Sequence, residues 1–370
     1  MHVGQRRFLL QLGERRMLLS LDPRLRGVGG DLRLHASVIT LSDDEGRLVA
    51  LARRGPRYKS HVRALLVLAL VACGENSARK TDPTPPIETP PIPSTFTVDC
   101  STKHAPKPDR DAGPMCLVPA STFVMGTPVD EMSNIDGPAR KVRISKSFYL
   151  DQFEVTNAQF STFLNTSPAK CGKPDRFCLE GDEPEGIDLR TPGFPPRAGA
   201  EKLPAVVTLR GAEEYCAWVG KRLATEAEWE LAARHDPSTG EDLVYPWGNE
   251  FREKVANYLG ATDPEQGHEM PPGSFASDRS PIGAFDMGGN AQEWVADCFT
   301  LDFECAANPC VDPRRVTGCK DFCDRTSGQC WPGALHRGGD VATRPQYLAA
   351  KRRYHVDPEF SAAIRCVLSR

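Results

Sequence analysis

The stretch Gly220–Glu230, GKRLATEAEWE, holds the most legible local structure in the chain. Thr225 is followed three residues later by Glu228. That spacing lets the Thr hydroxyl accept the N–H of residue 228 while the Glu side chain reaches back to the N–H of residue 225. The pattern predicts a helix opening at Thr225 and running through Arg234. Glu226, Glu228 and Glu230 invite a reading as a catalytic carboxylate pair. Neighbours two apart point to different helix faces, however, and the cap accounts for Glu228, so their role reads as structural.

Outward from this helix the same signals recur. Thr156-Asn157-Ala158-Gln159 is a second capping box, ahead of Phe160, Phe163 and Leu164 on one face. Leu209–Val219 reads as helical, with Tyr215 and Trp218 three apart. Strands look short, at Lys141–Ile144 and Phe148–Leu150. With 32 Pro and 31 Gly in 370 residues and 40% hydrophobic content, a loop-rich α+β domain with a real core follows. From about Cys100 to Arg370 there is no internal repeat and no Pro-rich break, so we read one domain.

The charge is unevenly spread. Residues 1–61 carry 12 Lys and Arg against 6 Asp and Glu, leaving 34 against 43 beyond them. An acidic body repels phosphate backbones, which argues against nucleic acid as a partner. Residues 1–61 show no sustained period and read as an upstream extension outside the true coding start. Val62–Cys73 has one Arg, an apolar run from Ala64 to Ala72, and Leu70-Val71-Ala72-Cys73. The run is the length of a signal-peptide core, too short to span a bilayer, and its end resembles a bacterial lipobox. The expectation is a lipoprotein signal over 62–73, lipidated at Cys73. The competing reading is a buried strand of an extra N-terminal domain. Residues 74–99 include TDPTPPIETPPIPST, a Pro/Thr tract that favours extended polyproline II and serves as a stalk. The protein would then face an oxidising bacterial envelope, in the periplasm or on the outer-membrane surface, with the lipid as its only membrane contact.

Thirteen cysteines are present, and removing Cys73 leaves an even twelve, consistent with up to six disulfides in an exported protein. Six lie between Cys298 and Cys330. Cys319-x3-Cys323 resembles half a zinc site, but no second pair at zinc spacing accompanies it, so a disulfide-stapled loop is the expectation.

Six ordered motifs now identify a resemblance. They are Phe123-Val124-Met125-Gly126, Phe153-Glu154-Val155-Thr156-Asn157, Gly220–Glu230, Tyr245-Pro246-Trp247-Gly248, Asp286–Trp294 (DMGGNAQEW) and Arg337-Gly338-Gly339. In this order, over roughly Cys116 to Arg370, they resemble the formylglycine-generating enzyme (sulfatase-modifying factor) family. The resemblance implies a C-type-lectin-like α+β fold, poor in regular structure, with Cys216 and Cys366 joined. The Cys298–Cys330 segment would be an insertion atypical of the family.

Two kinds of site follow from the resemblance. Asp286, Gly289, Ala291 and Glu293 match a structural calcium site, the acids ligating through side chains and the other two through carbonyls. Such an oxygen set suits calcium. Asn257 and Tyr258 would begin a second calcium site, with Asp263 and Glu265 in range. The alternative is a loop pinned by hydrogen bonds of Asn290 and Glu293. Family oxidases also carry two cysteines after Arg-Gly-Gly, five residues apart, that hold copper(I), a soft ion preferring thiolate. Those positions are Thr343 and Leu348 here, and neither side chain binds copper(I). Asp340-Val341 replaces the usual Ser-Trp. A further branch uses histidine-bound iron from a preceding helical domain, yet His268, His336 and His355 are scattered.

The expectation is therefore a non-catalytic or diverged module that binds an envelope peptide, glycan or protein, with Thr343, Arg344, Gln346 and Arg353 as cleft candidates. An oxidase of formylglycine-generating type with different metal ligands is the alternative. A purely structural envelope component is a third.

Overall fold

The computed structural model describes residues 96–370 apart from 108–109, 129–136, 168–177, 179–185, 262–266, 301–304, 306, 316–320, 324–329 and 357–359. It also describes the backbone of four strands in the separate unit Met1–Pro86. Those strands, β1 (Arg7–Leu12), β2 (Arg15–Ser20), β3 (Val38–Ser42) and β4 (Leu48–Arg53), form an antiparallel meander in sequence order. Short apolar runs such as Leu9-Leu10 and Met17-Leu18-Leu19 form strands without strict alternation. Cys73, the signal over 62–73 and most of the 74–99 tract lie outside the described residues.

The second unit begins at Ile87 and carries the rest of the chain. Its strands are β5 (Cys100–Ser101), β6 (Met115–Val118), β7 (Ser121–Met125), β8 (Arg140–Ile144) and β9 (Phe148–Asp151). Helices α1 (Asn157–Thr166) and α2 (Leu209–Trp218) follow, then β10 (Arg222–Leu223) and α3 (Glu226–Arg234). The remainder contributes β11 (Glu293–Cys298), β12 (Cys310–Val311), β13 (Asp321–Cys323), β14 (Cys330–Pro332), β15 (Ala334–Arg337), β16 (Tyr354–Val356) and β17 (Cys366–Ser369).

Both capping boxes form. Thr156 and Gln159 close the start of α1, and Thr225 and Glu228 close the start of α3. Each satisfies N–H groups that a helix start leaves without an intrahelical partner. Strand order β10-β17-β9-β6-β5 makes the main sheet, which places the last strand inside it, between β10 and β9. Strands β11-β15-β16 make a second sheet and β12-β8-β7 a third, with β12 parallel to β8. This loop-rich arrangement is α+β.

Among the described residues, two large apolar clusters and one smaller one fill the interior. One surrounds Trp229, with Phe123, Met125, Phe148, Leu150, Met287 and Leu335. The other large cluster joins α1 to α2 through Phe160, Phe163, Tyr215 and Trp218, all within ring-contact distance. Cys216 on α2 is bonded to Cys366 on β17, which ties the helix to the main sheet. Disulfides also join Cys100 to Cys116 and Cys305 to Cys310. Cys178 and Cys298 are disulfide-bonded as well. Cys319 lies outside the described residues.

Candidate functional site

Strand β15 ends at Arg337, and Gly338 and Gly339 carry the chain into a tight turn. Both glycines have positive φ, 97° and 83°. A Cβ added at Gly339 would lie 3.2 Å from Thr343 Cγ2 and 3.2 Å from Leu348 Cδ2. The fold therefore brings Thr343 and Leu348 together on one glycine, at the positions where two thiolates were sought.

Neither side chain is available for chemistry. Thr343 Oγ1 donates to Asp340 Oδ1 at 2.7 Å and accepts from the Asp340 N–H at 2.9 Å. It works as a turn clasp. Leu348 is 1% exposed and packs with Val255, Ala256, Tyr258 and Ala261. Beside that cluster, Tyr245 and Trp247 stack at 5.1 Å across a turn closed by hydrogen bonds between Tyr245 and Gly248. The Tyr-Pro-Trp-Gly segment is thus a tight aromatic turn.

The other cleft candidates separate. Arg344 and Gln346 are exposed, on and just before a 3-10 turn over Pro345–Tyr347, and Tyr347 is 46% exposed. Arg353 does not join them. It is buried and donates to Glu226 at 2.7 and 3.3 Å and to the Thr300 carbonyl at 2.9 Å, with its guanidinium over Phe299. Its charge is thus spent inside the protein. Two surface cavities, about 250 and 220 Å³, are lined by residues such as Ser145, Arg222 and Arg314, and by Glu154, Gln159 and Lys202. Neither includes Thr343 or Leu348.

Below the turn, Arg337 is fully buried. It pairs with Glu226 and Glu230 of α3, donates to the carbonyls of Ala350 and Lys351, and lies over Trp229. Glu226 and Glu230 are one helical turn apart and share a face. They hold Arg337 and Arg353 and are not an acid–base pair.

The calcium expectation meets a mixed set of atoms. Asn290, at φ 63°, is a hub: its amide donates to Glu154 and to the Met270 carbonyl, and its oxygen accepts from Asn257 and Met270. Gly289 is required here, since a Cβ would meet the Asn257 carbonyl at 2.5 Å. Asn257 Oδ1 is buried without a hydrogen-bond partner, a hard oxygen that suits a cation. Tyr258 is buried, its hydroxyl accepting from the Lys254 N–H; Asp263 and Glu265 lie outside the described residues.

Glu293 fits calcium poorly. Its carboxylate accepts from Trp229 Nε1 at 2.6 Å, Arg365 Nη2 at 2.6 Å, and Arg365 Nε at 2.9 and 3.0 Å. These donors occupy the roughly four lone-pair positions of a carboxylate. Asp286, at φ 59°, spends one oxygen on the Gly273 N–H at 2.6 Å. Ala291 is buried within the same turn. Among the described residues no three His, Cys, Asp or Glu side chains converge in metal-holding geometry. Any ion here would rely on fewer carboxylates and on amide or carbonyl oxygens. The sequence reading missed Arg365, whose signal was its place directly before Cys366, and Asp278, fully buried with neither carboxylate oxygen hydrogen-bonded.

Comparison with known proteins places residues 101–369 on the model of the sulfatase-modifying factor enzyme 1-like domain. The chain is 32% identical over 245 residues to the formylglycine-generating enzyme of Bos taurus, which covers 56% of the chain and 63% of that protein. It is 32% identical over 216 residues to the inactive C-alpha-formylglycine-generating enzyme 2 of Mus musculus, covering 50% of the chain and 69% of that protein. The serine/threonine-protein kinase pkn1 of Chlamydia pneumoniae is 35% identical over 205 residues, covering 54% of the chain and only 30% of its own length. The chain thus spans less than two thirds of the kinase and of the bovine enzyme. Among solved structures, PvdO from Pseudomonas aeruginosa superimposes with a TM-score of 0.55 at 26% identity, covering 75% of this chain and all of that one.

Proposed function

The chain belongs to the family of sulfatase-modifying factor enzyme 1-like domains, and from that premise we propose that it is a diverged, non-oxidising member acting as a binding module. One observation carries the reading. Thr343 and Leu348 meet at Gly339, one as a turn clasp and the other as core. A soft copper(I) ion needs thiolate at such a place and finds a hydroxyl and an isobutyl group. A relative named inactive matches as well as one named for the activity, so likeness alone favours neither reading; the side chains at Thr343 and Leu348 support the non-oxidising one. The exposed trio Arg344, Gln346 and Tyr347 offers a planar cation, an amide and a ring. Arg344 suits a carboxylate or sulfate on an envelope peptide, glycan or protein. The lipobox-like Leu70–Cys73 supports display from the bacterial envelope through a lipid on Cys73. Structural calcium, where present, belongs to the Asn257 and Asp286 loops and serves rigidity.

The test is direct. The full chain is incubated with copper(I), oxygen and a Cys-x-Pro-x-Arg peptide, and mass spectrometry looks for conversion of thiol to aldehyde. No conversion by a folded protein is expected. A variant carrying Thr343→Cys and Leu348→Cys should gain stoichiometric copper(I) binding in a chelator competition. Conversion by the unaltered chain would overturn the reading and point to metal held elsewhere.

A further inference from the structure

The Cys298–Cys330 segment meets the rest of the unit at β12, which runs parallel to β8 with Cys310 facing Val142 and Val311 facing Arg143. Just beyond β12, the Asp312 N–H donates to the Arg143 carbonyl at 2.8 Å. The Asp312 carboxylate then clasps the turn between β8 and β9. Its Oδ1 accepts from the Ser145 N–H at 2.7 Å, and its Oδ2 accepts from the Ser145 hydroxyl. This clasp sets Arg314 in the wall of the same cavity as Lys146 and Ser147, a space of about 250 Å³ that Arg222 and Ser369 also line.

The acids in that wall are already satisfied. Glu228 forks onto Arg222 with two bonds of 2.7 Å and accepts from the Thr225 N–H at 2.8 Å. Asp312 spends both oxygens on Ser145. Arg370 brings a guanidinium together with the terminal carboxylate, and the two offset each other. Lys146 and Arg314 differ. Both are exposed, and among the described residues neither makes a hydrogen bond or an ion pair. The acids whose charge reaches Arg314, Glu213 and Asp297, do not line the cavity. Two hydroxyls add donors. Ser147 Oγ accepts from the Ala120 N–H and Ser369 Oγ from Arg222 Nε, each at 3.2 Å, which leaves each hydroxyl its own hydrogen to give.

We propose that this cavity is a binding site for a small phosphate monoester. Three unesterified oxygens suit donors arriving from several residues better than a planar carboxylate does. The group carries about −1.5 to −2 charge at neutral pH, which matches Lys146 and Arg314 together, whereas a sulfate ester is a monoanion. The cavity, at about 250 Å³, is smaller than the roughly 300–1,000 Å³ that encloses a drug-sized ligand. It therefore takes the anionic group and a short stem, for which Ile144 and Phe148 supply apolar lining. The acidic balance of the whole body does not oppose this. A small ester senses the charges within a Debye length of about 8 Å, while a nucleic-acid backbone must lie across the entire surface.

The experiment titrates the full chain with phenyl phosphate by calorimetry, at low and at high salt, with phenyl sulfate and benzoate as comparators. Saturable binding that weakens with salt is expected, tightest for phenyl phosphate. Lys146→Gln and Arg314→Gln should each weaken it about fivefold to tenfold, the loss of one charge-assisted contact. Both side chains are exposed, so the unfolding temperature should stay unchanged in each variant. Lys254→Gln, an exposed lysine outside the cavity, should bind as the unaltered chain does. Four results would overturn the proposal. They are no saturable binding up to about 10 mM, unchanged binding in both cavity variants, benzoate or phenyl sulfate binding as tightly as phenyl phosphate, and loss of binding on Arg344→Gln instead, which would place the anion at the Gly339 turn.

Discussion

At Arg337 the chain accepts a buried cation and satisfies it almost completely. Two glutamates, two carbonyls and the face of Trp229 surround it. Taking ions from water costs more than a single contact returns, so such an arginine is tolerable only with several well-placed acceptors. Removing it has the opposite effect from removing a surface arginine. Arg337→Met would leave Glu230 with Arg234, at 3.4 Å, and the Gly126 N–H, and Glu226 with Arg353, with the charge of Arg140 also acting on both glutamates. We predict a loss of about 3–5 kcal/mol in urea unfolding, the range for breaking a buried pair from one side. A loss under about 1 kcal/mol would mean that the network is decorative. The same reasoning explains why Arg353 is no ligand contact: its guanidinium serves Glu226, Thr300 and Phe299.

Elements differ in how far the sequence reveals them. Helices α1 and α3 were legible because a capping box is local: residues three apart satisfy one another. The partners of each helix face were not, since Glu226 and Glu230 meet an arginine 111 and 107 positions away. The positions of Thr343 and Leu348 were legible by counting from Arg337, but only the turn at Gly339 shows that they converge. Strand β15 offers a test at this scale. His336 is 2% exposed, packs edge-on against Trp294 at 3.9 Å, and is pushed down to about 3 by burial. An unfolded His titrates near 6.5, so the unfolded chain takes up a proton there while the native chain does not. Stability contributed by this group is therefore complete above pH 6.5 and falls as pH drops toward 3, by about 1.4 kcal/mol per unit well below 6.5. Against His336→Gln, urea unfolding between pH 7 and 5 should show a steeper acid loss in the unaltered chain. Parallel curves would contradict the assignment.

For the second unit as a whole, little regular structure must hold many loops, and covalent closure substitutes for ladders. The disulfides are unequal in this task. Cys216–Cys366 closes 150 residues and joins α2 to the interior strand β17, whereas Cys305–Cys310 closes 5 within the insertion. If closure acts by restricting the unfolded chain, the long link contributes about 5 kcal/mol and the short one about 2. The long link also lies fully buried in the aromatic cluster of Phe163, Tyr215 and Trp218, so its loss is not relieved by solvent. Replacing Cys216 and Cys366 together by Ser should lower the unfolding temperature far more than replacing Cys305 and Cys310 together. The comparison also bears on function. An insertion that can lose its staple without unfolding the unit is free to vary on the surface, while the frame around Gly339 stays fixed. Equal effects from the two pairs would instead make the Cys-rich segment part of that frame.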